Sequence, residues 1–167
     1  MLDYLGIFKE FNAKKIKYIV VGGLAVNLLG VPRITYDIDL LLYFEDKNLQ
    51  KFLTLMKRWG FKPKVPVDIM EFLDEKKRED WIKNKNMKAF RLYKPQWPIS
   101  EIDILIDTPV DYNEAIKNIH YIKSANISIP VISIDDLIKM KSKTGRKQDK
   151  ADIRYLKKIK NEKNRWI

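Results

Sequence analysis

An apolar run that stops at a glycine pair, then resumes as an alternating segment with two aspartates in it, constrains this chain more than any other feature. Tyr18-Ile19-Val20-Val21 is β-branched and aromatic and predicts a buried strand. Gly22-Gly23 breaks it. Leu24 to Leu29 predicts a short helix, which Gly30 stops and Pro32 keeps from continuing. From Thr35 the period becomes two. Thr35, Asp37 and Asp39 fall on one face, and Tyr36, Ile38, Leu40 and Leu42 on the other. Two carboxylates on a mostly apolar strand are costly unless solvated, paired or bound to a cation. Chemistry is therefore sought here first.

The rest of the chain supplies the elements around this stretch. Leu2 to Lys15 has the apolar spacing of an amphipathic helix, and so does Asp46 to Trp59, which Gly60 ends. Phe61 to Val67 holds prolines at 63 and 66 and predicts an edge strand. Val67 to Asn86 predicts one or two helices with a wet face. Met87 to Lys94 predicts a strand, Tyr93 to Pro98 a loop, and Ile99 to Ile106 a strong strand. A short helix over Asp111 to Asn118 precedes two short strands, His120 to Lys123 and Ile127 to Val131. Ser133 caps a helix reaching about Lys143; Thr144-Gly145 interrupts it, and a last helix starts near Gln148. This order implies an α/β (α+β) fold, a mixed sheet flanked by helices with a helical C-terminal segment. One domain over 1–167 is expected, with the sheet core in 1–132 and basic helices in 133–167.

Composition narrows the function classes. The 167 residues include no cysteine, which excludes disulfides, thiolate zinc sites and cysteine nucleophiles. No apolar run approaches the ~20 residues that span a bilayer, and the N-terminus lacks a signal-peptide pattern. No membrane association and a cytoplasmic location are expected. Of the net charge of +11, residues 137–167 carry +9, from 12 Lys/Arg against 3 Asp/Glu. Such a basic region suits a polyanionic partner, and it equally suits a solvated lysine-rich helix.

Four places are candidates for chemistry. Gly22-Gly23 lets the backbone turn tightly at a helix start, where N–H groups favour phosphate. Asp37 and Asp39 offer oxygen ligands of the kind Mg²⁺ takes. Asp103 sits in the same acid-on-apolar-strand pattern, although Glu101 and Asp107 share its face and the pattern does not choose among them. If the two strands are neighbours, three carboxylates converge on a site for phosphoryl or nucleotidyl transfer. In Lys141 to Asp152, Lys141 and Arg146 bracket a glycine turn, while Asp149 and Asp152 share a helix face, either for function or to lock a helical hairpin. The single histidine, His120, has no catalytic context and excludes a Ser-His-Asp triad.

Together these residues resemble the nucleotidyltransferase superfamily with the DNA polymerase β-like minimal fold. The nearest likeness is to the AbiEii/AbiGii-type toxin-like nucleotidyltransferases. The motifs that carry it are Gly22-Gly23, Arg33-Ile34-Thr35-Tyr36-Asp37-Ile38-Asp39, Asp103, and Leu137-Ile138-Lys139-Met140-Lys141 followed by Gly145-Arg146-Lys147-Gln148-Asp149 and Asp152. Gln148 stands where that pattern often has lysine. The resemblance implies Mg²⁺ (or Mn²⁺) at Asp37, Asp39 and Asp103, which are also the catalytic residues. It implies NTP binding by Gly22, Gly23, Arg33, Thr35, Lys141 and Arg146, with Asp149 and Asp152 as braces. It implies transfer of an NMP to a hydroxyl of RNA (tRNA included), a protein or a small molecule, and it allows a partner protein and a toxin role. The alternative is a catalytically weak scaffold of the same fold that binds nucleic acid through its basic C-terminal region.

Overall fold

The computed structural model describes residues 3–96 and 101–165. Their strands form one seven-stranded mixed sheet. β1 (Tyr18–Val21), β2 (Ile38–Leu42), β3 (Lys62–Pro63), β4 (Ala89–Tyr93), β5 (Glu101–Leu105), β6 (His120–Ser124) and β7 (Ile127–Val131) stand in the order β3-β4-β5-β2-β1-β7-β6. The β1–β2 pair is antiparallel, while β2 runs parallel to β5 and β1 parallel to β7. The helices are α1 (Tyr4–Ala13), α2 (Gly22–Leu28), α3 (Asp46–Arg58), α4 (Glu75–Lys85), α5 (Tyr112–Ala115), α6 (Ile134–Thr144) and α7 (Lys147–Arg165). Two 3₁₀ turns, Ile69–Leu73 and Ile116–Asn118, complete the expected helical stretches. The expected loop over Tyr93–Pro98 and the expected start of a strand at Ile99 lie partly outside the described residues.

Strand registers divide the sheet into two unlike faces. Tyr18, Val20, Leu40, Leu42, Ile102, Ile104, Phe90 and Leu92 share one face by pairing and alternation, and all are buried. α1 and α3 cover it. Phe8 stacks on Tyr18 with ring centroids 5.7 Å apart, and Phe11 meets both Tyr18 and Phe52. Further along, Phe72 and Trp81 pack on Phe90. Burial of these rings also pushes the Tyr18 hydroxyl well above its ordinary pKa. The opposite face carries Ile19 and Leu41 toward one end and Val21, Asp39, Asp103 and Arg91 toward the other.

Element boundaries follow their local chemistry. The β6–β7 hairpin turns on Ala125-Asn126, both with positive φ, as a two-residue turn between right-twisted strands requires. Ser133 accepts from the Asp136 N–H to cap α6, as expected. Gly145, at φ +64°, ends α6 and lets α7 fold back beside it, with Lys160 on Asp135 at 2.6 Å near the far ends. One expectation is corrected. The strand that was to begin at Thr35 begins at Ile38, leaving Asp37 exposed just before it. The reason lies in β1. Val21 is opposite Asp39, and Gly22 then turns away at φ +66°, so no neighbour on that side pairs with residues 35–37.

Candidate active site

The parallel β2–β5 pairing places Asp39 directly beside Asp103 on one face. The three acids of β5 and its end have different neighbours. Glu101 is ion-paired with Lys64 and Asp107 with Lys88. Asp103 alone of the three pairs with an aspartate, Asp39, within the β2–β5 ladder, and it is buried. Its Oδ1 is buried with no hydrogen-bond partner among the described residues. A buried oxygen without a donor is costly, and such atoms mark sites that a ligand or ion completes.

The electrostatics follow from this proximity. Burial pushes the Asp39 carboxyl up to about 6, and the Asp37 charge adds to it; Lys141, the Gly23 N–H and Arg146 pull the other way. Burial likewise pushes Asp103 up to about 7, with the Asp39 charge next, against Arg91. Two neighbouring carboxylates with insufficient positive charge each resist ionisation of the other. Asp37 stands at the rim, where its Oδ1 accepts from the Glu101 N–H at 3.3 Å.

The glycine pair is shaped by what presses on it. A Cβ on Gly22 would lie 2.0 Å from Asp39 Oδ2, in addition to the positive φ, so only glycine fits. A Cβ on Gly23 would meet Thr35 Oγ1 at 2.8 Å and the Arg33 guanidinium carbon at 3.1 Å. Arg33 and Thr35 are thus packed against the start of α2. The Gly23 N–H is directed to Asp39, so it is committed to a side chain rather than free.

Behind this wall lies a second charged group. Lys141 is buried and reaches Asp149 at 3.1 Å and Asp152 at 2.9 Å. Asp152 also binds Arg33 Nη1 at 2.5 Å and accepts from Gln148 Nε2 at 3.1 Å. Asp149 accepts from Arg146 Nε at 2.8 Å and from the Thr144 hydroxyl at 2.5 Å. Burial opposes the Asp149 charge, but these hydrogen bonds outweigh it and hold the carboxyl below its usual range. The two aspartates therefore brace α6 against α7, and Arg33 ties that hairpin to the segment before β2. Lys141 and Arg146 remain near enough to Asp39 to stabilise its charge.

The arrangement suits a divalent cation in part. Asp39 and Asp103 supply oxygen donors side by side, and the unpartnered Oδ1 of Asp103 fits a hard cation. Among the described residues, however, no three carboxylate, histidine or cysteine side chains are already gathered as a ligand group. The outlier is Asp37, set at the rim because it precedes the strand. His120 is exposed at the start of β6, on the edge strand that β1 and β7 separate from β2. Among the described residues no helix is long and apolar enough to cross a membrane.

Two contributors escaped the sequence reading. Arg91 of β4 lies opposite Asp103 and is ion-paired to it at 3.4 Å. The signal was present, since Arg91 is the one charged residue within Ala89–Tyr93. Asn27 of α2 accepts from the Arg33 N–H at 2.9 Å through its side chain, which fixes the turn carrying Arg33. No pattern in the sequence announces that contact.

The comparisons agree with this fold. Residues 5–161 match the family described as nucleotidyltransferase of unknown function (DUF6036). The fold resembles the lincosamide antibiotic adenylyltransferase LnuA in its lincomycin-bound crystal structure, at TM-score 0.60 and 19% identity, covering 92% of this chain and 93% of that one. It resembles a putative nucleotidyltransferase from Thermotoga maritima, at TM-score 0.56 and 20% identity over 95% and 93%. An antigenic nucleotidyltransferase-like protein from Paracoccidioides brasiliensis aligns at TM-score 0.54 and 16% identity, over 93% of this chain and 72% of that one. No curated protein matches the sequence. The superfamily reading stands, while the narrower likeness to AbiEii/AbiGii-type proteins remains a likeness only. With a family match across nearly its whole length, the chain belongs to the DUF6036 family and is a nucleotidyltransferase.

Proposed function

We propose that this enzyme transfers an NMP from an NTP to a hydroxyl acceptor, with Asp37, Asp39 and Asp103 holding Mg²⁺ (or Mn²⁺). The observation that carries the reading is the register of Asp39 with Asp103 beside the Gly22-Gly23 turn. A bound divalent cation would neutralise the donor phosphates and the carboxylates that otherwise repel one another. Arg33 and Thr35 pack against Gly23 and would meet the triphosphate, and Lys141 and Arg146 would add positive charge behind them.

The acceptor oxygen bonds to the α-phosphorus, the P–O bond to the β-phosphate breaks, and pyrophosphate leaves. The hydroxyl proton passes to the Asp103 carboxylate, which lies in register with Asp39. The test is label transfer from an α-labelled NTP to a cell extract. Wild type labels an acceptor; Asp39→Asn and Asp103→Asn do not, while both keep the wild-type circular dichroism spectrum. A wild-type protein that transfers no label from any NTP, with Mg²⁺ or Mn²⁺, would remove this reading.

A further inference from the structure

The positive charge of the C-terminal region is arranged on one line. In α7, Lys147, Lys150, Arg154, Lys157, Lys158 and Arg165 recur at helical spacing and point away from the hairpin. All are exposed, and none has an ion-pair partner among the described residues. The opposite side of the same helix buries Asp149, Asp152 and Leu156. Two of its three acids, Asp149 and Asp152, are thus turned inward and consumed by Lys141, Arg33 and Arg146, while Glu162 is exposed on the groove side and the six bases of the stripe are left outward. The stripe is about 27 Å long from Lys147 to Arg165, at ~1.5 Å per residue.

A groove flanks the stripe. Gly30, Val31 and Pro32 face Tyr155, Lys158, Ile159 and Glu162 across a hollow of about 410 Å³. Tyr155 is 56% exposed, so a ring face is offered beside the cationic line. Pro32 adjoins Arg33, which packs on Gly23 and binds Asp152. The groove therefore runs from the stripe toward the glycine turn. A cationic track with an aromatic platform is the combination that holds single-stranded nucleic acid, where phosphates meet the bases of the protein and an unpaired nucleobase stacks.

From these observations we infer that the outer face of α7, with the Tyr155 groove, docks single-stranded RNA and that this RNA is the acceptor. The inference rests on the nucleotidyltransfer reading for the acceptor role but not for the docking itself. It is tested with the full chain and a fluorescent single-stranded RNA of about 20 nucleotides, titrated across ~50 to ~200 mM salt. Wild-type affinity falls steeply with salt. In the triple variant K150Q/R154Q/K157Q the slope of log affinity against log salt shrinks by roughly 2, at about 0.7 per lost phosphate contact. Tyr155→Ala weakens binding roughly tenfold, as loss of one stacked base does, with the slope retained.

D39N separates docking from chemistry: it keeps wild-type affinity and slope while losing label transfer. An unchanged slope in the triple variant overturns the inference and leaves the transferase reading untouched. So does tighter binding of an RNA duplex or of phosphatidylserine vesicles than of the single strand. If the RNA is bound but wild type labels only a small molecule or a protein, the acceptor assignment is wrong. If wild type labels nothing yet binds RNA as described, the transferase reading fails and the docking surface stands.

Discussion

Two aspartate pairs sit on either side of the Gly22-Gly23 turn, and they are in opposite electrostatic states. Asp149 and Asp152 are surrounded by Lys141, Arg146 and Arg33, with Thr144 and Gln148 completing their hydrogen bonds. Asp39 and Asp103 face each other with only Arg91, the Gly23 N–H and more distant cations for compensation. The first pair is satisfied by protein, and its chemistry is spent on holding α6, α7 and the Arg33 segment together. The second is left wanting positive charge, which is the condition for binding a cation and moving a proton. One residue type is thus a satisfied ion-pair partner in one place and an uncompensated acid in the other, and the difference lies in what the fold brings beside it.

Neutralising the reactive pair gives the largest expected effect. Asp39→Asn or Asp103→Asn lowers the rate of label transfer by roughly 10²–10⁴-fold, the usual worth of a positioned acid or base, with the fold retained. Loss of structure in both variants, read by circular dichroism, would mean that this pair is a brace as well. Breaking the other pair acts on stability instead. Asp152→Ala leaves Arg33 without its carboxylate and halves the partners of Lys141; it costs about 3 kcal/mol in urea unfolding. A smaller cost would place Asp152 with the dispensable surface ion pairs.

Gly22→Ala bridges the two regions. Its Cβ would collide with Asp39, and its φ would be strained, so about 2 kcal/mol of stability is lost by thermal unfolding together with most transfer activity. pH distinguishes the pairs more gently. The raised folded pKa values of Asp39 and Asp103, about 6 and 7, mean the folded state binds more protons than the unfolded chain above pH ~4. Their contribution to stability therefore falls as pH rises from about 4 to about 7. Asp149, held below its usual value, contributes stability above the unfolded pKa that is lost only as pH falls through its folded value. In D39N the decline of melting temperature between pH ~4 and ~7 is expected to flatten by a few degrees, at about 2–4 °C per kcal/mol. Smallest is Arg91→Ala. Its guanidinium is mostly exposed, so the ion pair with Asp103 is worth under ~1 kcal/mol in unfolding.

Much of the site was legible because strands expose their chemistry through period two. Tyr18–Val21 is the expected strand to the residue, and the acid-on-apolar pattern at Asp39 and Asp103 marked two positions that the sheet then joined. The bracing role of Asp149 and Asp152 was visible as one of two alternatives, since a three-residue separation puts both on one helix face. Helix α2 starts at Gly22, earlier than its apolar residues suggested, because the turn needed only glycine's positive φ. The misplacement of Asp37 came from extending an alternation past the end of its partner strand.

What the sequence by itself determined is which residue types stand where along each element: the glycine turn, the acids at alternate positions, the basic final helix. These are local facts, set by backbone sterics and by the periods of helix and strand. Only the tertiary structure sets Asp103 beside Asp39. Glu101, Asp103 and Asp107 are equivalent by alternation, and strand register together with Lys64 and Lys88 separates them. Arg91 beside Asp103, and Arg33 on Asp152 from 119 positions away, were likewise decided by the fold. Pairing across a sheet and between distant segments depends on how elements dock. A charge becomes costly or useful only through the neighbours that docking supplies.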